Sequence, residues 1–304
     1  MKRDFLSVDD LSRAELEQLL DAADEAKADR EAWRTRLEGR QIALIFEKPS
    51  TRTRVSFEAG ISEMGGNAIV LSSAELQLGR GETIEDTGAV LSRYVDAIVL
   101  RTFGQDRIER LARSASVPVI NALSDSAHPC QCLADLQTIR EKKGALEGLG
   151  LAYLGDGNNV AHSLMLGGAK VGMDVRVACP EGYEPVPSVT DRAKQSALEN
   201  GGRVSVTHVV AEAATSADAL YTDVWASMGQ ESEADSRGEL FDRYQLNDDV
   251  VDLAAEDAIV MHCLPAHRGE EITASVIDGP RSVVWDQAEN RLHAQKALLA
   301  FLLS

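Results

Sequence analysis

The stretch Gln41–Leu71, QIALIFEKPSTRTRVSFEAGISEMGGNAIVL, decides how this chain folds. After its first residue, Gln41–Phe46 is an unbroken apolar run, the pattern of a strand buried on both faces. From Arg52 to Met64 the period changes, with Phe57, Ile61 and Met64 at i, i+4 and i+7 on one helical face. Gly65-Gly66 supplies C-cap chemistry, and Ala68–Leu71 opens a second apolar run. Strand, helix and strand in so short a span predict a parallel sheet.

The alternation continues outward. Further strands are expected at Ala97–Leu100, Val117–Ile120, Leu151–Leu154, Val175–Ala178, Ala219–Thr222, Ile259–His262 and Val283–Trp285. Helices are expected at Asp10–Leu37, Glu82–Tyr94, Cys132–Lys143, Ala161–Gly172 and Asp191–Asn200. Nine strands are many for one sheet, so the reading is two α/β domains, each a parallel sheet flanked by helices. Lys142–Gly150 is the boundary candidate, and Gln230–Asp242, acidic and glycine-broken, reads as a mobile surface loop. The last helix, Ala288–Leu303, carries Leu292, Leu298, Leu299 and Leu302 and is apolar enough to pack back on a domain.

Composition narrows the class. The 304 residues suffice for two cores, and no stretch approaches the ~18 apolar residues of a membrane helix. Nothing in Met1–Asp10 resembles a secretory signal, so a cytoplasmic protein is expected. Four scattered cysteines make no disulfide framework, and Cys130-x-Cys132 lacks the second pair a zinc site needs, so no metal is expected. Net charge is −18, with eight lysines, which disfavours nucleic acid and anionic lipid as partners. So acidic and lysine-poor a surface reads either as that of an ordinary acidic cytosolic protein or, more sharply, as adaptation to a high-salt, halophilic cytoplasm, where screening at ~1 M acts over ~3 Å.

Chemistry concentrates where strands end. Ser50 stands at the N-cap of the Arg52–Met64 helix, and Ser50-Thr51-Arg52-Thr53-Arg54 brings free N–H groups, hydroxyls and guanidiniums to one turn. Such a turn binds a phosphate or similar dianion. Arg101 follows its strand directly, and Asp125-Ser126-Ala127-His128-Pro129-Cys130-Gln131 links another strand to a helix that Pro129 can open. In the second half, Gly155-Asp156-Gly157-Asn158-Asn159 lacks the third glycine of a dinucleotide fingerprint, and its glycines read as a sharp turn that aims Asn159 at a ligand. Asp223 ends a strand as an amine partner or a simple cap. In His262-Cys263-Leu264-Pro265 residue chemistry leaves the thiol open between nucleophile and buried apolar side chain.

Taken together these segments resemble the transcarbamylases, and among them the ornithine carbamoyltransferases, from about Leu6 to the C-terminus. The shared motifs are Ser50-Thr51-Arg52-Thr53-Arg54 and His128-Pro129-x-Gln131, and the ornithine-type motifs are Asp223-Val224-Trp225-x-Ser227-Met228-Gly229 and His262-Cys263-Leu264-Pro265. The resemblance implies carbamoyl transfer from carbamoyl phosphate to ornithine, giving citrulline and phosphate, a urea cycle-type step of arginine metabolism that needs no metal or organic cofactor. It implies a carbamoyl phosphate-binding domain at 1–145, an ornithine-binding domain at 146–287 and a final helix at 288–304 crossing back to the first. An active site in the interdomain cleft and a homotrimer, or a higher assembly of trimers, are also implied. Ser50, Thr51, Arg52 and Thr53 are implied for the phosphate, and Arg101, His128 and Gln131 for the carbamoyl group. Gln77 is implied to come from a neighbouring subunit, and Cys263, Leu264 and Arg291 to line the join of the two substrates. Asn159, Asp223, Ser227 and Met228 are implied to hold ornithine, with Arg52, Arg101, His128 and Cys263 catalytic. The Leu264–Pro265 bond is expected to be cis. The competing expectations are transfer to another amine (putrescine or acetylornithine), a nicotinamide-dependent oxidoreductase, and a non-catalytic binding protein.

Overall fold

The computed structural model describes residues 2–72, 81–225 and 234–304. It divides into two compact units, Met1–Gln137 with Glu289–Ser304, and Thr138–Ala288.

The first unit starts with α1 (Arg13–Ala28), β1 (Gln41–Phe46), α2 (Thr51–Glu63) and β2 (Asn67–Ser72). It continues through α3 (Ile84–Leu91), β3 (Ala97–Arg101), α4 (Gln105–Ser114), β4 (Val119–Leu123) and α5 (Pro129–Lys143), whose last turn and a half belongs to the second unit. The four strands pair in parallel in the order β2-β1-β3-β4. Ile42, Ala43, Leu44 and Ile45 of β1 are all fully buried, as a central parallel strand covered on both faces requires. Helix α2 buries Phe57 and Ile61, and Met64 just beyond it, then stops at Gly65, which has φ +80°. There Gly65 N–H donates to Ser62 O and Gly66 N–H to Ile61 O. A Cβ on Gly65 would stand 2.8 Å from the Arg34 carbonyl, so conformation and space both demand glycine.

The second unit contains β5 (Gly150–Leu154), α6 (Asn159–Lys170), β6 (Asp174–Ala178), α7 (Pro187–Asn200), β7 (Arg203–Thr207), α8 (Val210–Ala214) and β8 (Ala219–Thr222). After these come α9 (Ala234–Phe241), α10 (Asp248–Val251), β9 (Ile259–His262), α11 (Ala274–Ile277) and the start of α12 (Val284–Leu303). Its five strands are parallel in the order β7-β6-β5-β8-β9. From Glu289 on, α12 belongs to the first unit.

Four expectations are corrected. The helix expected over Asp10–Leu37 ends at Ala28, because Asp29 turns the chain and accepts a bond from Ala32 N–H. The strand expected at Val117–Ile120 begins two residues later: Pro118 has no N–H to donate and offers only its carbonyl to Ile98. At Val283–Trp285 only a stub pairs with Val260 before α12 starts, and Asp286 in its first turn favours the helix. The expected loop Gln230–Asp242 is helical over Ala234–Phe241, where buried Phe241 sits among Tyr183, Trp225 and Tyr244. Among the described residues, no helix is long and apolar enough to cross a membrane.

Candidate active site

Each sheet has one place where the chain reverses its direction of strand addition, and open parallel sheets bind ligands at the carboxyl ends there. In the first unit that place lies between β1 and β3, and in the second between β5 and β8. Ser50 and Arg101 follow or end the first pair, and Asn158 and Asp223 follow the second. The next strands out, β4 and β9, deliver His128 and Cys263 to the same edges.

In the first unit Ser50 has extended backbone and its Oγ accepts the Thr53 N–H at 3.3 Å, so it caps α2 as its position predicts. Arg291 from α12 donates from Nη2 to Thr53 Oγ1 at 3.1 Å and from Nη1 to Gln131 Oε1 at 2.6 Å. Gln131 in turn donates to Asp135, buried in α5, at 2.8 Å, which fixes its amide with the oxygen towards Arg291. Thr53, Arg101, His128, Gln131 and Arg291 are all buried. Burial, then the fields of Arg291, Arg101 and Arg52, push the His128 imidazole well below its ordinary value. The ring is therefore neutral at physiological pH and can donate one proton in a hydrogen bond without adding charge. Three guanidiniums, a neutral imidazole and a helix N-terminus bring positive charge and hydrogen-bond donors together, a combination suited to an anion.

Two residues here escaped the sequence reading. Lys48 is buried, with Nζ 2.6 Å from Asp125 Oδ1 and 4.3 Å from the centre of the Phe103 ring. It ties the Ser50 turn to the loop that carries His128. Glu47 accepts from Thr102 and Arg107, bracing the turn from its other end.

In the second unit the cap of α6 is Asn158, one residue before the Asn159 singled out by sequence. Its Oδ1 accepts the N–H groups of Val160 and Ala161, and its Nδ2 donates to Asp223 Oδ2 at 2.9 Å. Val224 N–H and the Cys263 thiol donate to the other carboxylate oxygen at 2.8 and 3.0 Å. Gly155, with φ +131°, makes the turn, while a Cβ on Gly157 would stand 2.3 Å from the Pro185 nitrogen. Tyr153 OH donates to Asn158, and burial, then Asp223, raise its phenol well above the usual range, so it stays a donor. The Leu264–Pro265 bond is cis as expected, and Leu264 N–H donates to His262 Nδ1 at 2.8 Å. A braced carboxylate beside a half-buried thiol suits a protonated amine that must lose its proton. Asp223, His262 and Cys263 also lie close enough to share an ion. Gln77, Ser227 and Met228 lie outside the described residues.

Two family models match the chain one after the other. Residues 3–141 match the carbamoyl-P binding domain of aspartate/ornithine carbamoyltransferase, and residues 147–302 match its Asp/Orn binding domain. The ornithine carbamoyltransferase of Parafrankia sp. (strain EAN1pec) is 64% identical over 99% of this chain and 96% of its own. That of Acidothermus cellulolyticus is 60% identical over 100% and 97%. The solved ornithine carbamoyltransferase from Pyrococcus furiosus superposes with a TM-score of 0.95 at 55% identity, covering 98% of this chain and 96% of that one. With both family domains matched in order and relatives this similar along the full alignment, the chain belongs to the aspartate/ornithine carbamoyltransferase family.

Proposed function

We propose that this chain transfers the carbamoyl group of carbamoyl phosphate to the side-chain amine of L-ornithine, giving L-citrulline and phosphate. The observation that carries the reading is the braced Asp223 carboxylate with Cys263 on it, in a chain that also holds a cationic anion site. Residues 1–145 take carbamoyl phosphate, 146–287 take ornithine, and 288–304 return Arg291 to the first set.

The chemistry follows from the groups. Ornithine's side-chain ammonium has a pKa near ~10, so it must lose a proton before it can attack. Asp223, or a Cys263 thiolate formed by passing its proton to Asp223, is the acceptor on that side, with Asn159, Ser227 and Met228 completing the ornithine contacts. The amine nitrogen bonds to the carbonyl carbon, and negative charge builds on the carbonyl oxygen, where Arg101, His128 and Thr53 donate. The C–O bond to phosphate then breaks, the nitrogen sheds its second proton, and the leaving phosphate can take one up. Arg52 and the first-turn N–H groups of α2, with Ser50 and Thr51, meet the phosphate charge. Gln131, Leu264 and Arg291 orient the carbamoyl group, and Gln77 reaches it from a neighbouring copy in a homotrimer. Carbamoyl phosphate is already activated, so positioning and electrostatics supply most of the rate.

The test is a colorimetric citrulline assay with ornithine, putrescine and acetylornithine as acceptors, in dilute buffer and in molar KCl. Turnover with ornithine alone supports the reading, and faster turnover with another amine overturns it. Highest activity and melting temperature in molar KCl support the proposed high-salt cytoplasm, and highest values in dilute buffer remove it. Size-exclusion chromatography with light scattering decides the trimer.

A further inference from the structure

We infer that Glu271, acting through the His262 ring, is a positioning residue that holds the Cys263-Leu264 segment against Asp223. The inference rests on the proposed role of that segment in ornithine transfer. Both side chains are fully buried, and His262 Nε2 lies 3.0 Å from Glu271 Oε1. On its other side the ring accepts the Leu264 N–H at Nδ1. A nitrogen that accepts an N–H carries no proton, so the proton of the neutral ring is on Nε2 and points at the carboxylate. One tautomer thus serves both bonds, and the chain carboxylate–imidazole–Leu264 N–H fixes the backbone beside the thiol.

Nothing on β9 alone would hold that tautomer. Glu271 Oε1 also accepts the His267 N–H at 2.7 Å, which anchors the carboxylate from the same loop. Burial pushes the Glu271 carboxyl up, but the bonds from His262 and His267 outweigh it and leave the group below the usual carboxylate range. Leu264 itself has φ +58°, a left-handed conformation that a leucine keeps only when its surroundings enforce it. The His262 bond to its N–H is that enforcement. The ring of His262, the Asp223 carboxylate and the Cys263 sulfur lie within 4.8 Å of one another, so Glu271 acts on their geometry through that ring.

The experiment compares Glu271→Leu and Glu271→Gln in the full chain. Its first readout needs no substrate: the rate at which Cys263, the one cysteine that is not buried, reacts with Ellman's reagent. Glu271→Leu should speed this reaction about threefold or more and raise the ornithine KM about tenfold, with inorganic phosphate affinity within about twofold. Glu271→Gln keeps an acceptor oxygen and should restore both values to within about threefold. An unchanged thiol rate in folded Glu271→Leu, or a parallel loss of phosphate binding, overturns the inference. If Glu271→Leu does not fold, His262→Gln takes its place, since its amide can still meet Glu271 but gives up the Leu264 bond; it should show the same faster thiol, and an unchanged rate overturns the inference. Wild-type chain that makes no citrulline defeats the functional reading instead, and the thiol rates still decide this one.

Discussion

The two half-sites occupy equivalent places in their sheets and are built from opposite chemistry. At the β1–β3 reversal the chain gathers Arg52, Arg101 and Arg291 around a His128 ring that burial, and then their field, keeps neutral. At the β5–β8 reversal it gathers a carboxylate whose two oxygens already take three donors, from Asn158, Val224 and Cys263. The first half-site holds like charges together, a tension that the proposed anion would relieve. The second is satisfied within itself, so an incoming amine must exchange with bonds already made. Topology sets where ligands bind, and the residues at the strand ends decide what sign of charge they carry.

This contrast can be broken first on the anion side. Arg52→Gly should cut citrulline formation about a thousandfold, while the melting temperature falls only a few degrees for a glycine in a first turn. Near-normal turnover would remove the phosphate assignment. On the amine side Asp223→Asn should lower kcat/KM for ornithine about fiftyfold or more through a lost charged interaction, with inorganic phosphate binding by calorimetry unchanged. Coupled loss of both would mean that the half-sites do not divide the substrates. Cys263→Ser should raise the ornithine KM about tenfold and the carbamoyl phosphate KM less than about twofold; equal effects on the two would make the thiol structural.

The smallest effect sharpens the tension argument. His128 is neutral in the folded chain, whereas its ordinary value is about 6.5. As pH falls through that value the unfolded state binds the proton first, so stability present at higher pH is lost. Between pH 7 and 5.5 the ring should cost about 1 kcal/mol of stability, read as a lower melting temperature, and His128→Gln should flatten that part of the profile.

Much of the anion half-site was legible because its donors are consecutive: Ser50 to Arg54 can be read in one glance as a capped, cationic helix start. The strands of continuous burial, such as Gln41–Phe46, were legible for the same reason. Legibility failed where a residue's role depends on a distant partner. The pairing of Lys48 with Asp125 spans 77 positions, and no local pattern announces it. Asn158 and Asn159 are identical in kind, and only the φ of −82° and ψ of −167° at the first makes it the cap. Strand β7, with Arg203, Ser205 and Thr207 along a half-exposed sheet edge, lacks the apolar run that marks a buried strand. Helix α4 carries its signal in Ile108 and Leu111 amid charge, and the alternation of strands overshadowed it. The acidic run before Asp242 looked like a loop by composition, and one buried aromatic, Phe241, anchors its end as helix.

The bond from Arg291 to Thr53 joins residues 238 positions apart. A chain made from its N-terminus presents Ser50 to Arg54 early, yet the guanidinium that locks Thr53 and Gln131 emerges only after every strand of the second unit has been synthesised. On the ribosome the anion turn therefore waits, incomplete, through most of translation. Affinity for the proposed phosphate ligand is therefore expected only once Arg291 has been added and has folded back on Thr53.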